Sequence, residues 1–217
     1  MLQLDFDMEI SWLGHSCFKL RGRQATVITD PYSPDLGYSL GKVTASIVTV
    51  SHQHPGHCFT EGVGGNPKTV TGPGEYEISN VLIIGVAAFH DKEKGSLRGK
   101  NTIHLIEMDE ISICHLGDLG HVLTDEQVEE LGNVDVLLVP VGGVSTINAS
   151  MAAEIVRQLE PKVVIPMHYK TPALSRALEP VDGFLREIGA HDITPQDKLS
   201  LTKSNLPAST QVFLLEY

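Results

Sequence analysis

The segment Ile47-Val-Thr-Val-Ser-His-Gln-His-Pro-Gly-His57 runs from an apolar stretch into the pattern H-x-H-x-x-H. In an extended chain successive side chains alternate, so His52 and His54 project to the same side, where two imidazoles can hold one cation. Pro55 and Gly56 turn the chain, which lets His57 swing back toward the same spot. Histidines this dense also arise in polar surface loops, so the spacing alone leaves a metal site and a histidine-rich loop both open. Further groups must decide between them.

Such groups follow in order: Phe89-His90-Asp91, then Cys114-His-Leu-Gly-Asp118, then Pro166-Met-His168-Tyr169. In each, a His or Asp closes or follows an apolar run. Together with Gly14-His-Ser-Cys-Phe18, these motifs in this order resemble the metallo-β-lactamase superfamily, and within it the small lactonase-like hydrolases of the ascorbate-6-phosphate lactonase type. The resemblance extends from about Gly14 to Tyr169. It implies an α/β fold, a four-layered αββα sandwich with a dinuclear metal site at one edge of the paired sheets.

Carried over residue by residue, the resemblance implies that His52, His54 and His90 form the first metal site, that Asp118 bridges, and that His57 and His168 serve the second. Asp118 and His57 are also the residues to which it assigns a catalytic part. Asp30, before Pro31, matches an aspartate that supports the histidine motif from behind; a turn-initiating Asp before proline is the equally weighted reading. Where the family pattern H-x-H-x-D-H places an aspartate, this chain has Gly56. His57, His168 and Asp118 with a water still suffice for a zinc, so a second metal is expected to bind, more weakly than the first. Gly56→Asp is expected to tighten it, provided Gly56 does not sit at positive φ.

The chemistry follows from the ligand types. A divalent cation on neutral imidazoles and a carboxylate lowers the pKa of bound water from 15.7 to about 7 and polarises a carbonyl or phosphoryl oxygen. Imidazole with carboxylate suits Zn first, with Mn, Fe or Ni compatible, as one or two ions. The functional reading is a metal-dependent hydrolase in which hydroxide generated at the metal attacks an ester, lactone or phosphoester bond of a small molecule. The rival is a catalytically weakened metal- or ligand-binding protein of the same fold.

Other residues are weighed against plainer roles. His15 and His115 follow or end strands, where a satisfied structural histidine is favoured over a direct part; His104, His121 and His191 have no motif around them. Thr71-Gly-Pro-Gly-Glu-Tyr-Glu77 reads as a structural glycine-rich turn, with Glu75 and Tyr76 as less favoured cleft-lining groups. Val141-Gly-Gly143 ends a buried strand and is a candidate to approach the site through its backbone. Cys58 lacks a neighbouring base in a triad pattern, so a buried or metal-adjacent thiol is expected rather than a nucleophile.

These residues need elements to position them. Strands are expected at Glu9–Leu13, Cys17–Leu20, Thr26–Thr29, Ile47–Val50, Val81–Phe89, Thr102–Met108 and Ile111–His115, all β-branched or aliphatic runs. Val136–Val139 and Val163–Ile165 are apolar throughout, which predicts burial on both faces. Helices are signalled by the capping box Thr124-Asp-Glu-Gln127, by Met151, Ile155, Val156 and Leu159 at helical spacing before Pro161, and by Phe184, Leu185 and Ile188 ahead of Gly189. With no linker or repeat visible, residues 1–217 are read as one domain.

Composition sets the outer bounds. The 217 residues carry 16 Lys+Arg against 27 Asp+Glu, a net charge of −11, which disfavours a nucleic-acid partner and leaves a small-molecule substrate. The longest strongly apolar run, Val81–Phe89, falls far short of the roughly 18 residues a spanning helix needs, so no membrane association is expected. The leading MLQLDFDMEI has acids and no basic leader, and Cys17, Cys58 and Cys114 form no C-x-x-C; a cytoplasmic location is the expectation.

Overall fold

The computed structural model describes residues 7–217; Met1–Phe6, the start of the acidic leading segment, lie outside them. In chain order the strands are β1 Met8–Gly14, β2 Cys17–Arg21, β3 Thr26–Thr29, β4 Val43–Thr44, β5 Ile47–Val50, β6 Val63–Gly64, β7 Lys68–Thr71 and β8 Gly74–Ile78. They continue with β9 Val81–Phe89, β10 Lys100–Met108, β11 Ile111–His115, β12 Val136–Pro140, β13 Val163–Met167, β14 Leu199–Leu201 and β15 Gln211–Val212. The α-helices are α1 Asp125–Leu131, α2 Ala149–Leu159 and α3 Asp182–Ile188. One sheet has the order β14-β1-β2-β3-β5-β7, a second the order β15-β13-β12-β11-β10-β9-β8, and β4 pairs with β6 apart from both.

Side-chain alternation explains how the first sheet serves two layers. Phe18, Val27 and Ile47 face the second sheet and join its Ile103, Leu105 and Leu137 in one apolar core. Their chain neighbours Cys17, Ile28 and Val48 point the other way, into a cluster with Tyr32, Leu36, Tyr38 and Leu174. A 3-10 turn at Pro34–Leu36 is part of this outer cover. On the far side α1 packs against β9, α2 against β12 and α3 against α2. The expected sandwich is therefore present, with one outer layer of α-helices and the other resting on a 3-10 turn and loops.

The helices start and stop where their ends are satisfied. Thr124 Oγ1 accepts from the Gln127 amide at 3.3 Å while Gln127 Oε1 accepts from the Thr124 amide at 3.0 Å, the reciprocal capping expected. Asn148 caps α2, whose Ala152, Ile155, Val156 and Leu159 are buried, and Gly189 ends α3 in the left-handed conformation. Strands β12 and β13 are buried at every position, as their unbroken apolar runs require.

The structure corrects the sequence reading at the glycine-rich stretch. Gly74–Ile78 is not a turn but an antiparallel partner of β9, with Glu75 and Glu77 exposed and Tyr76 and Ile78 half-buried. The turn is confined to its start, and the exposed glutamates mark an edge strand whose polar face reaches water. Strands β7, β14 and β15 carry too few residues for periodicity to show. Among the described residues no helix is long and apolar enough to cross a membrane.

Candidate metal centre

Strands β11, β12 and β13 run parallel, and β9, antiparallel to β10, shares their direction; in the other sheet β3 and β5 are parallel. Side chains that follow the carboxyl ends of β3, β5, β9, β11 and β13 are therefore brought to one edge of the sandwich. Asp118 lies at the middle of them. Its Oδ2 is 3.2 Å from His57 Nε2, 3.2 Å from His90 Nε2 and 3.8 Å from His52 Nε2, and its Oδ1 is 3.3 Å from His168 Nε2. His54 joins His52 and His90, with one nitrogen of each within 4.8 Å of the others. The five histidines singled out as ligands are thus gathered at one edge with the sixth, Asp118.

Behind this ring the chain fixes ring orientation. Ser51 Oγ donates to Asp30 Oδ2 at 2.6 Å, so it can only accept from His52 Nδ1–H, 2.9 Å away, which leaves His52 Nε2 a free lone pair. His57 Nδ1–H donates to the same Asp30 oxygen at 2.9 Å, and the Ser51 amide donates to Asp30 Oδ1 at 2.8 Å. Asp30 is thus a positioning carboxylate, beyond its place at a turn. Asn101 does the same for Asp118, accepting its amide at 3.0 Å while its own Nδ2 donates to the Leu116 carbonyl at 2.9 Å. No sequence signal pointed to Asn101; Ser51 is marked only by its place before His52.

The electrostatics call for a cation. Asp30 and Asp118 are both buried, and among the described residues neither pairs with a lysine or arginine. Burial works against charge on Asp118, yet His168 and His57 hold its carboxyl well below the usual carboxylate range. Burial likewise opposes charge on Asp30, but the hydrogen bond from His57 and the neighbouring imidazoles bring it down to about 2. Burial would push His57 down; Asp118 and Asp30 raise it to about 10, so a proton there balances the carboxylates. His52 Nε2 and Asp118 Oδ1 are buried with no hydrogen-bond partner among the described residues. Unpartnered ligand atoms converging beside two carboxylates that have only imidazoles for partners fit a divalent metal, since buried polar atoms otherwise find partners.

Backbone strain collects at the same edge. His15, Asp30 and His168 have φ of 54°, 39° and 52°, and left-handed conformations cost a residue with a side chain on the order of 1 kcal/mol each. Gly142 lets β12 end against His168, because a Cβ there would lie 2.1 Å from the His168 carbonyl oxygen. The Val141–Gly143 segment thus supports the site through its backbone.

The remaining histidines separate. His115 is satisfied as expected, its Nε2–H donating to the Ser16 carbonyl at 2.8 Å and its Nδ1 accepting from the Gly117 amide at 3.2 Å. His121 accepts from the Phe89 amide and donates to the Val122 carbonyl, steadying the strand end that carries His90. His15 departs from the expectation of a satisfied structural histidine: both ring nitrogens are buried without a partner among the described residues. The Cys58 thiol is half-buried and pushed up by burial, then by Glu61 and Asp30, which disfavours the thiolate a nucleophile needs.

A cleft of about 690 Å³ opens beside the centre, with His52 and His54 in its wall and Pro73, Phe89, Arg98 and Lys100 around it. Arg98 is placed by Asp91, whose carboxylate accepts the amides of Glu93, Gly95, Leu97 and Arg98. Glu75 and Tyr76 are not among the cleft's lining residues, and Tyr76 instead donates to the Thr71 carbonyl at 3.0 Å.

A family model described as a β-lactamase superfamily domain matches residues 9–168. With the two-sheet sandwich and its histidine-ringed edge, the chain belongs to the metallo-β-lactamase superfamily. A UPF0173 protein of Pyrococcus furiosus is 35% identical over 187 residues, spanning 76% of this chain and 84% of its own. A UPF0173 metal-dependent hydrolase of Methanoculleus marisnigri is 30% identical over 200 residues, spanning 79% and 86%. A crystal structure of a candidate Zn-dependent hydrolase of this superfamily from Thermotoga maritima has a TM-score of 0.80 at 43% identity, over 96% of this chain and 98% of that one.

Proposed function

We propose that this protein is a metal-dependent hydrolase of small molecules. In this reading His52, His54, His90 and Asp118 hold one divalent cation, and Asp118 with His57 and His168 faces a second. The observation that carries it is the Asp118 carboxylate enclosed by four imidazole Nε2 atoms at 3.2–3.8 Å, with no lysine or arginine among the described residues to neutralise it. A divalent cation, when bound, supplies acidified water and polarisation of a carbonyl or phosphoryl oxygen, with Zn the best match to this donor set.

The rest belongs to the chain. Asp30 and Ser51 present His57 and His52 by their Nε2 atoms, and Asn101 sets the direction of Asp118. Arg98 and Lys100, at the cleft beside His52 and His54, suit a substrate with an anionic group, while Pro73 and Phe89 give an apolar wall. An ester, a lactone and a phosphoester all fit these demands.

The test is hydrolysis of a panel of such compounds by protein loaded with Zn or Mn, alongside Asp118→Ala. Activity should vanish with chelator, return on metal addition, and be absent in the variant. Turnover that persists in chelator, or an Asp118→Ala protein that keeps its metal and its rate, would overturn the proposal.

A further inference from the structure

His15 sits in the turn between β1 and β2, outside the H-x-H-x-x-H run, yet it is fully buried among the proposed ligands. Its ring centroid is 4.2 Å from that of His168 and 5.0 Å from that of His57. One nitrogen from each of His15, His57 and His168 lies within 4.8 Å of the others. Neither nitrogen of His15 has a hydrogen-bond partner among the described residues, a costly arrangement for a buried imidazole.

The backbone is built to keep that ring in place. His15 is held at a φ of 54°. Its carbonyl accepts from the Trp12 indole at 3.0 Å and from the His168 amide at 3.0 Å, which ties it directly to another site residue. Strain maintained by two hydrogen bonds around an unpartnered side chain is the pattern of a group awaiting a ligand.

Gly56 supplies the other half of the argument. It sits outside the left-handed region, so backbone conformation does not demand glycine there. A Cβ at this position would instead meet His15 Nε2 at 3.3 Å and His15 Cδ2 at 3.5 Å, tighter than ordinary contact at the nitrogen. The missing side chain is the space that the His15 ring occupies.

We propose that His15 is a ligand of the second metal, completing with His57, His168 and Asp118 a four-ligand site in which an imidazole from the β1–β2 turn stands in for a carboxylate at position 56. This rests on the metal-centre reading above and changes one expectation. The second site is not a three-ligand remnant, and Gly56→Asp alone crowds His15 rather than simply adding a donor.

The experiment compares metal binding by wild type, His15→Asn and His15→Asn/Gly56→Asp, each stripped and then titrated with Zn²⁺ against a chromophoric chelator. Asparagine is chosen because it tolerates positive φ, so the variant removes the imidazole with little backbone cost. Wild type should take up two ions per chain. His15→Asn should keep the first and hold the second roughly a hundredfold more weakly, the share of one ligand in four. The double variant should recover most of that loss, because the carboxylate then has the room the ring gave up.

Should His15→Asn not fold, the ring ¹⁵N resonances of His15 in wild type give the same answer, and should shift to a metal-bound position with the second equivalent of Zn²⁺. A folded His15→Asn protein that binds two ions with unchanged affinity overturns the proposal, as do His15 resonances indifferent to metal. One ion per wild-type chain overturns the second site and leaves the hydrolase reading on His52, His54, His90 and Asp118 standing. No ion at all removes both.

Discussion

One oxygen of Asp30 accepts from both Ser51 Oγ and His57 Nδ1, and through Ser51 it also sets the tautomer of His52. A single buried carboxylate thus aims one histidine of each proposed metal directly or at one remove. Ser51→Ala frees His52 to carry its proton on either nitrogen and should weaken metal binding about tenfold. Asp30→Ala strands three donors at once and should cost toward a hundredfold in affinity and roughly 3 kcal/mol in stability. Chelator competition and thermal unfolding measure the two; affinities unchanged from wild type in both variants would show that these hydrogen bonds do not act on the metal. At this scale the strand-end residues His52, His54, His90, Asp118 and His168 were legible because apolar runs stop at them. Asn101 was not, since a lone Asn in a strand has no pattern, and the part proposed for the buried His15 depends on an absence at Gly56 that only three-dimensional proximity reveals.

At the scale of elements, the strands that meet the site are also those whose composition predicted them. Ile47–Val50, Val81–Phe89 and Ile111–His115 coincide with observed strands, because continuous β-branched runs must be buried on a sheet. Edge strands such as Gly74–Ile78 escaped notice since pairing with β9, not local preference, holds them. Position then matters more than propensity. Gly142→Ala would force a Cβ to within 2.1 Å of the His168 backbone carbonyl oxygen, so the variant should lose metal and unfold several degrees earlier. Thr124→Ala removes the cap of α1 at a cost of about 1 kcal/mol, on the far side of the second sheet, and should leave metal content unchanged. Elemental analysis beside thermal scans separates the pair; metal loss in the Thr124 variant would mean that the helix layer and the site are coupled.

For the molecule as a whole, the buried polar groups decide how it answers to acid. His104 lies in β10, fully buried, with neither ring nitrogen partnered among the described residues, and burial pushes it down to about 4. Between that value and the 6.5 of the unfolded chain, the unfolded state binds a proton that the folded state refuses, so stability rises with pH across this window and is lost as pH falls through it. The gap corresponds to about 3 kcal/mol. His104→Leu should flatten the fall in thermal midpoint between pH 6.5 and 4 when both proteins are measured in chelator; parallel curves would refute the assignment. The sandwich itself was legible from the order of its motifs. Its uneven outer layers were not, because the cover of Tyr32, Leu36, Tyr38 and Leu174 is assembled from distant loops that carry no period.

The placement of Asp118 between histidines from both sheets has a consequence in time. A polypeptide is made from its amino end, and His52, His54 and His57 leave the ribosome long before Asp118 and His168 do. Until then the growing chain carries clustered imidazoles without the carboxylate that would bind them into a centre, and the last strand to bring a ligand, β13, belongs to the final third of the sequence. In the proposed centre the second site is therefore the later to be completed: a chain cut short before His168 has the first site's His52, His54, His90 and Asp118 but lacks a ligand of the second.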